Sequence, residues 1–184
     1  MKVGIYTLGC KVNTYESEYV ASLFKEKGYD IVDFAEVCDV YVINTCSVTN
    51  QSDSKSRKII NQAIRKNNDA CIVAMGCFIE ANKDIEIDGV DILIGNKDKS
   101  KVVELVEEYF KTKNQIRNLY VDLGNDFEDM EIKSFEGRTR AFVKIQDGCE
   151  NFCNYCIIPY VRGKCRSKHP EKVISEITAL VENG

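Results

Sequence analysis

Short apolar runs separated by amphipathic helical stretches constrain the fold of this chain more than any other feature of it. The runs are Val3–Thr7, Val40–Thr45, Cys71–Met75 and Ile92–Ile94, with a weaker one at Ile31-Val32. Continuous apolar segments of this length read as strands buried on both faces. Between them, Tyr15–Lys27 carries Tyr19, Val20, Leu23 and Phe24 on one helical face. Ser54–Lys66 does the same with Ile59, Ile60, Ala63 and Ile64, and Lys99–Phe110 with Val102, Val103, Leu105 and Val106. Gly28 is placed to stop the first helix. Strands alternating with helices in this way give an α/β fold, a doubly wound parallel sheet with right-handed crossovers. Five strands suit the order 2-1-3-4-5.

That order makes the first, third and fourth strands neighbours about 4.8 Å apart. Cys10, Cys46 and Cys77 each fall just past the carboxyl end of one of them, where ligand crevices form in such sheets. A single free cysteine is ordinarily a small buried hydrophobe. Three at one edge suit ligation better, because each has glycine or polar turn neighbours (Gly9-Cys10-Lys11, Thr45-Cys46-Ser47, Gly76-Cys77) whose N–H groups can hydrogen-bond thiolate or sulfide. The chain has nine cysteines. It begins without signal-peptide architecture and has no apolar stretch near the roughly 18 residues of a membrane span. A cytoplasmic chain with reduced thiols is expected, so metal or catalysis explains the cysteines better than disulfides. Cys38, Cys71 and Cys165 lack neighbouring ligands, and the first two read as packing residues.

From Lys111 to Gly137 the rhythm of strands and helices stops. An acidic run of Asp122, Asp126, Glu128, Asp129 and Glu131 reads as a solvated linker. Alternation returns at Arg140–Gln146 and leads into Gly148-Cys149-Glu150-Asn151-Phe152-Cys153-Asn154-Tyr155-Cys156. Thiolates at this Cys-x3-Cys-x2-Cys spacing can hold three corners of a cubane [4Fe–4S] cluster and leave the fourth iron open for a cofactor. Zinc is the plainer alternative, but it favours paired Cys-x2-Cys halves. His169, the one histidine, precedes Pro170 at a helix start, where a surface or capping role suits it better than ligation. The stretch Tyr160–Lys168 is basic. It either touches RNA phosphates or balances cluster charge, and with a net charge of −4 any nucleic-acid partner must be met by a local basic surface. A last helix is expected from Pro170, with Val173, Ile174, Ile177, Leu180 and Val181 at helical spacing and Gly184 ending it.

Taken together, Thr7-Leu8-Gly9-Cys10-Lys11-Val12-Asn13, Asn44-Thr45-Cys46-Ser47-Val48-Thr49, Gly76-Cys77 and Gly148-Cys149 through Cys156-Ile157-Ile158-Pro159 resemble the motifs of the radical S-adenosylmethionine (SAM) methylthiotransferases. The segment Leu8–Glu18 is most similar to the branch acting on N6-threonylcarbamoyladenosine at position 37 of tRNA. Sister branches act on isopentenyladenosine in tRNA or on ribosomal protein S12. The resemblance implies two [4Fe–4S] clusters, an auxiliary one on Cys10, Cys46 and Cys77 that supplies sulfur and one on Cys149, Cys153 and Cys156 that binds and cleaves SAM. It makes Tyr155 a cofactor contact and implies radical attack at C2 of the adenine. SAM, tRNA and an electron donor protein are the implied partners, with no membrane.

The implied organisation is an amino-terminal methylthiotransferase domain over residues 1–113, a linker over 114–137, and over 138–184 the first βα unit of an incomplete radical SAM (β/α) barrel. Family members continue beyond this point. The chain is therefore expected to be a truncated form that is inactive alone, with residues 1–113 folding independently and the part after Arg140 poorly supported. A metal-binding or interaction module without catalysis is the competing expectation. SAM cleavage under a strong reductant would distinguish the two.

Overall fold

The computed structural model describes residues 1–134 and 140–183. The end of the expected linker at Gly137, the domain start at 138 and the helix stop at Gly184 lie outside the described residues. The chain runs β1 (Lys2–Thr7), α1 (Lys11–Glu26), β2 (Asp30–Val32), β3 (Val40–Thr45), α2 (Asn50–Lys66), β4 (Cys71–Gly76), α3 (Cys77–Ala81), β5 (Ile92–Ile94), α4 (Val102–Thr112) and β6 (Ile116–Asn118). It continues through β7 (Gln146–Asp147), α5 (Ile158–Arg162), β8 (Arg166–Ser167) and α6 (Pro170–Glu182).

Strands β1 to β6 form one parallel sheet in the order β2-β1-β3-β4-β5-β6. This is the doubly wound arrangement expected, with one strand more than the apolar runs suggest. The sixth strand, Ile116–Asn118, falls in the segment read as linker. Its three residues pair with Ile92–Ile94, but Arg117 between two half-buried neighbours gives no apolar run to detect. The central strands are apolar on both faces because helices cover both. Tyr41, Ile43, Ile72, Ala74 and Leu93 pack with Ile59, Ile60 and Ala63 of α2. Val40, Val42, Val73, Met75, Ile92 and Ile94 pack with Val20 and Phe24 of α1 and Val102, Val103 and Val106 of α4. Helix α2 is capped by Thr49, whose hydroxyl accepts from the Ser52 N–H at 3.1 Å. Gly28, at φ +79°, follows the end of α1.

The carboxy-terminal part departs from expectation. The alternation of Arg140–Gln146 does not make a strand over its length. Only Gln146–Asp147 is extended and paired, and its partner is Arg166–Ser167, antiparallel. A strand exists only where a neighbour accepts its ladder; the Ile145 carbonyl still accepts from the Lys168 N–H at 2.8 Å, and no ladder pairing continues before it among the described residues. Helix α6 forms, but the one side chain it buries is Glu176, while Ile174, Ile177 and Val181 remain exposed. The acidic segment is anchored as well as solvated. Leu123, Met130 and Ile132 are buried, the last two with Tyr15 of α1. Among the described residues no helix is long and apolar enough to cross a membrane.

Candidate metal centres

The carboxyl edge of the sheet collects the first three cysteines as β1, β3 and β4 end. Thr45 of β3 is opposite Gly76 of β4, so Cys46 and Cys77 are the next residues on adjoining strands. Leu8, just past β1, donates its N–H to the Asn44 carbonyl at 2.9 Å, and the chain then turns through Gly9 into α1 with Cys10 as its capping residue. Gly9 has φ +100°, and a Cβ there would lie 2.8 Å from the Cys46 sulfur. Only glycine allows the chain to turn this close to Cys46 on its way to Cys10. Cys46 and Cys77 are buried and Cys10 is exposed, so the set opens to solvent on one side.

Among the described residues no three His, Cys, Asp or Glu side chains close on a point tightly enough for a single metal ion. A cubane differs from an ion in this respect, since its thiolates bind separate iron corners and stand further apart. The soft donor set, the glycine turn that keeps room beside Cys46 and the polar groups behind the sulfurs fit a cluster of that kind.

Those polar groups were not singled out from the sequence. Asn96 follows β5 and is fixed on every side. Its backbone N–H donates to Glu80 Oε2 at 2.8 Å, and its side-chain Oδ1 accepts from Lys99 Nζ at 2.9 Å. Its amide nitrogen donates to the Val161 carbonyl at 2.8 Å and stands 3.4 Å from the Cys77 sulfur. Gly95 makes the first contact possible, because a Cβ there would be 2.0 Å from Glu80 Oε2. Asn13, one turn into α1, donates to the carbonyls of Leu8 and Thr45 at 2.7 and 2.9 Å, and its Oδ1 lies 3.8 Å from the Cys10 sulfur. The position of Gly95-Asn96 at the carboxyl end of β5 was the available signal.

Behind the asparagines lies a buried charge network. Glu16 of α1 takes Lys99, Lys144 at 2.9 Å and Arg162 at 2.9 Å. Arg162 also reaches Asp147 at 3.0 Å and Asn13 Oδ1 at 2.8 Å, and Lys144 reaches Asp147 at 2.7 Å. Burial alone would neutralise these groups, but mutual attraction outweighs it. Arg162, Lys144 and Lys99 hold the Glu16 carboxyl well below the usual range, and Arg162 and Lys144 lower that of Asp147. Glu16, Cys77 and Asp147 hold the Arg162 guanidinium above its ordinary value. Three cations face two carboxylates. Arg166, 3.9 Å from Asp147, adds a further cation, so positive charge is in surplus beside the thiols.

This corrects one reading of the basic stretch. Arg162, Arg166 and Lys168 are buried, bound respectively to Glu16 and Asp147, to the Leu123 and Arg162 carbonyls, and to Glu176 and the Met130 carbonyl. All three face inward, Arg162 balancing charge near the cysteines and Lys168 near Tyr15, and they leave Lys164 as the exposed cation of the group.

The second set lies on the loop between β7 and α5. Gly148, at φ +78°, lets the Cys149 N–H donate to the Gly163 carbonyl at 3.0 Å, and the Cys156 N–H donates to the Cys153 carbonyl at 2.9 Å. Cys153 is exposed and Cys149 and Cys156 half-buried. Tyr155 is 91% exposed, so no described residue covers its ring. His169 is exposed just before α6, with no side-chain capping bond. Cys38 and Cys71 are buried, as expected of packing residues, and burial pushes both thiols up.

Comparison with known proteins adds a name to this arrangement. The Uncharacterized protein family UPF0004 matches residues 2–95. The chain is 44% identical to threonylcarbamoyladenosine tRNA methylthiotransferase MtaB of Bacillus subtilis (strain 168) over 99% of its length and 41% of that protein's. It is 40% identical to the MtaB of Aquifex aeolicus (strain VF5) over 100% of its length and 46% of the relative's. The ribosomal protein uS12 methylthiotransferase RimO of Thermoanaerobacter sp. (strain X514) is 35% identical over 99% of the chain and 43% of that protein. The chain thus spans less than half the length of each of these relatives.

Proposed function

Since the chain belongs to the Uncharacterized protein family UPF0004, we propose that it is the cluster-bearing part of a cytoplasmic methylthiotransferase that acts on N6-threonylcarbamoyladenosine in tRNA. The observation that carries the reading is the shared sheet edge. Cys46 and Cys77 follow paired residues of adjoining strands, and Cys10 follows Gly9, which turns the chain beside Cys46. The relatives of that name, at 44% and 40% identity, favour this branch over the protein-directed one at 35%.

Cys10, Cys46 and Cys77 would hold one [4Fe–4S] cluster and Cys149, Cys153 and Cys156 the other, with Tyr155 open to contact SAM. When bound, the clusters and SAM supply one-electron chemistry and the transferred sulfur, with electrons from a donor protein. The chain's own residues supply the rest. Asn96 directs an N–H at the Cys77 sulfur, the glycine turn keeps space beside Cys46, and the buried cations favour an anionic group at the edge.

A tRNA partner needs basic surface on a chain whose net charge is −4. Helix α2 supports this. Its outer face, along a groove of about 760 Å³, carries the exposed Arg57, Lys58 and Arg65, while Lys66 turns to donate to the Phe34 carbonyl. Bonds between Ser56 of the same helix and the backbone of Cys46 hold it beside the cysteine edge.

The test is anaerobic reconstitution with iron and sulfide, with iron counted in the wild type and in a Cys149/Cys153/Cys156→Ala variant. About eight irons falling to about four fit two cubanes. Zinc in place of iron, or an unchanged count in the variant, would overturn the assignment of the second site and leave a metal-binding module.

A further inference from the structure

Helix α5 follows the loop of the second cysteine set, yet its last two residues are built into the first. The Val161 carbonyl takes one N–H of Asn96 at 2.8 Å, which leaves the other directed at the Cys77 sulfur, 3.4 Å from the amide nitrogen. Arg162 takes Asn13 Oδ1 at 2.8 Å, the same oxygen that lies 3.8 Å from the Cys10 sulfur. A thiolate at Cys10 would otherwise face an unshared carbonyl lone pair, and the guanidinium removes that repulsion. Arg162 is 3% exposed, and its charge is felt at Cys77 without water to screen it. The sheet domain orients Asn13 through the Leu8 and Thr45 carbonyls and Asn96 through Lys99, and α5 gives each a further partner that fixes it against its sulfur.

We propose that Arg162 is a positioning residue of the Cys10, Cys46 and Cys77 site, so that the segment following the second cysteine loop completes the first site and sets the reduction potential of the group bound there. This rests on the reading that these cysteines hold an iron–sulfur cluster. A buried positive charge and an N–H donor to sulfur both favour the more negative, reduced state of a cluster, so removing either lowers its potential.

The test uses the whole chain with Cys149, Cys153 and Cys156 changed to Ala, so that one cluster gives the signal. It compares Arg162, Arg162→Gln, Arg162→Lys and Asn96→Leu by anaerobic potentiometric titration followed by electron paramagnetic resonance. Arg162→Gln is expected to lower the ratio of reduced to oxidised cluster at a fixed potential about tenfold, equivalent to about 59 mV for a one-electron couple. Arg162→Lys should recover most of this, and Asn96→Leu should shift the potential in the same direction by less. A bound cluster whose potential is unmoved by Arg162→Gln, or moved equally by Arg162→Lys, overturns the proposal while leaving the cluster assignment standing. Should the Arg162 variants fail to fold, Asn96→Leu decides, because it keeps every cation and carboxylate of the network. An unshifted potential there overturns the proposal. Absence of iron in the parent chain would sink the cluster reading and this inference together.

Discussion

Strand β4 is buried at all six of its positions, whereas α6, thirteen residues long, buries a single side chain, and that one is Glu176. The sheet domain is held by apolar surface packed on both faces, a non-directional force that tolerates small shifts. The carboxy-terminal segment is held to the same domain by buried charge. Lys144, Asp147 and Arg162 gather on Glu16, while Lys168 and Glu176 gather near Tyr15. Both anchor points lie on the first turns of α1, where Asn13, Tyr15, Glu16 and Ser17 are all buried. Directional contacts of this kind specify one docking geometry and lose most of their strength when one partner is removed. Cysteine sites that must be set against each other gain more from such an attachment than from an apolar one.

The largest effect is expected from Glu16→Ala. It leaves the buried Lys99 without a carboxylate and Lys144 and Arg162 sharing Asp147 alone, and breaking a buried ion pair from one side costs about 3–5 kcal/mol. Hydrogen exchange should show protection lost across residues 140–183 while β3 and β4 keep theirs. Equal loss in both regions would mean that they form one cooperative unit and that the contrast between them is false.

Acid should do reversibly what that substitution does permanently. The folded-state values of Glu16 and Asp147 are depressed, so their contribution is fully present above the unfolded carboxylate values, about 4, and is lost as pH falls through the lower folded ones. Lys144 and Arg162 are raised, so their contribution holds through neutral pH and fades only in strong alkali. Docking of the segment should therefore be level from about pH 5 to 9 and fall below about 4. Intrinsic protection of β7 and α6, followed across pH, reads this out. A loss centred near pH 6 would point to some other group.

How much of this was legible follows the same division. Val40–Thr45 and Ile92–Ile94 are strands to the residue, because an apolar run needs no partner to be recognised. Helix α1 begins at Lys11, ahead of the apolar face that starts to show at Tyr15, because its first turns bury Asn13 and Glu16, which periodicity counts as solvent-facing. The cysteines could be set at one edge from strand order alone. Asn96 could not, since its role comes from Val161, 65 residues away in sequence. Nor could the cations of the basic stretch be turned inward without knowing that Glu16, Asp147 and Glu176 would be waiting for them. Apolar burial is written locally, whereas charge pairing depends on which distant segments meet.

A smaller effect is expected at the second anchor. The Tyr15 hydroxyl lies 2.7 Å from the Met130 carbonyl and 2.6 Å from Glu176 Oε1. Tyr15→Phe keeps the ring against Met130 and Ile132 and removes the hydroxyl, a loss of about 1–3 kcal/mol. Lys168 and the Ile132 N–H still satisfy Glu176, so α6 should loosen without the segment detaching from Glu16. Exchange confined to α6 and residues 130–132 would bear this out, and release of β7 as well would make the two anchors a single device.

The smallest effect marks where the contrast ends. Lys172 also pairs with Asp129, joining α6 to the acidic segment, but both side chains are about half exposed. An exposed pair gains little attraction in water and gives up side-chain entropy to hold its geometry, so Lys172→Ala should cost less than about 1 kcal/mol, and less again in high salt. If charge as such held the segment, this pair would matter as much as Lys168 with Glu176, which is almost fully buried. If burial makes the difference, Lys172→Ala should leave the protection of α6 close to that of the wild type, while Lys168→Ala exposes it. A comparable loss in the two variants would show that the attachment is an electrostatic one of the surface and that salt should release it.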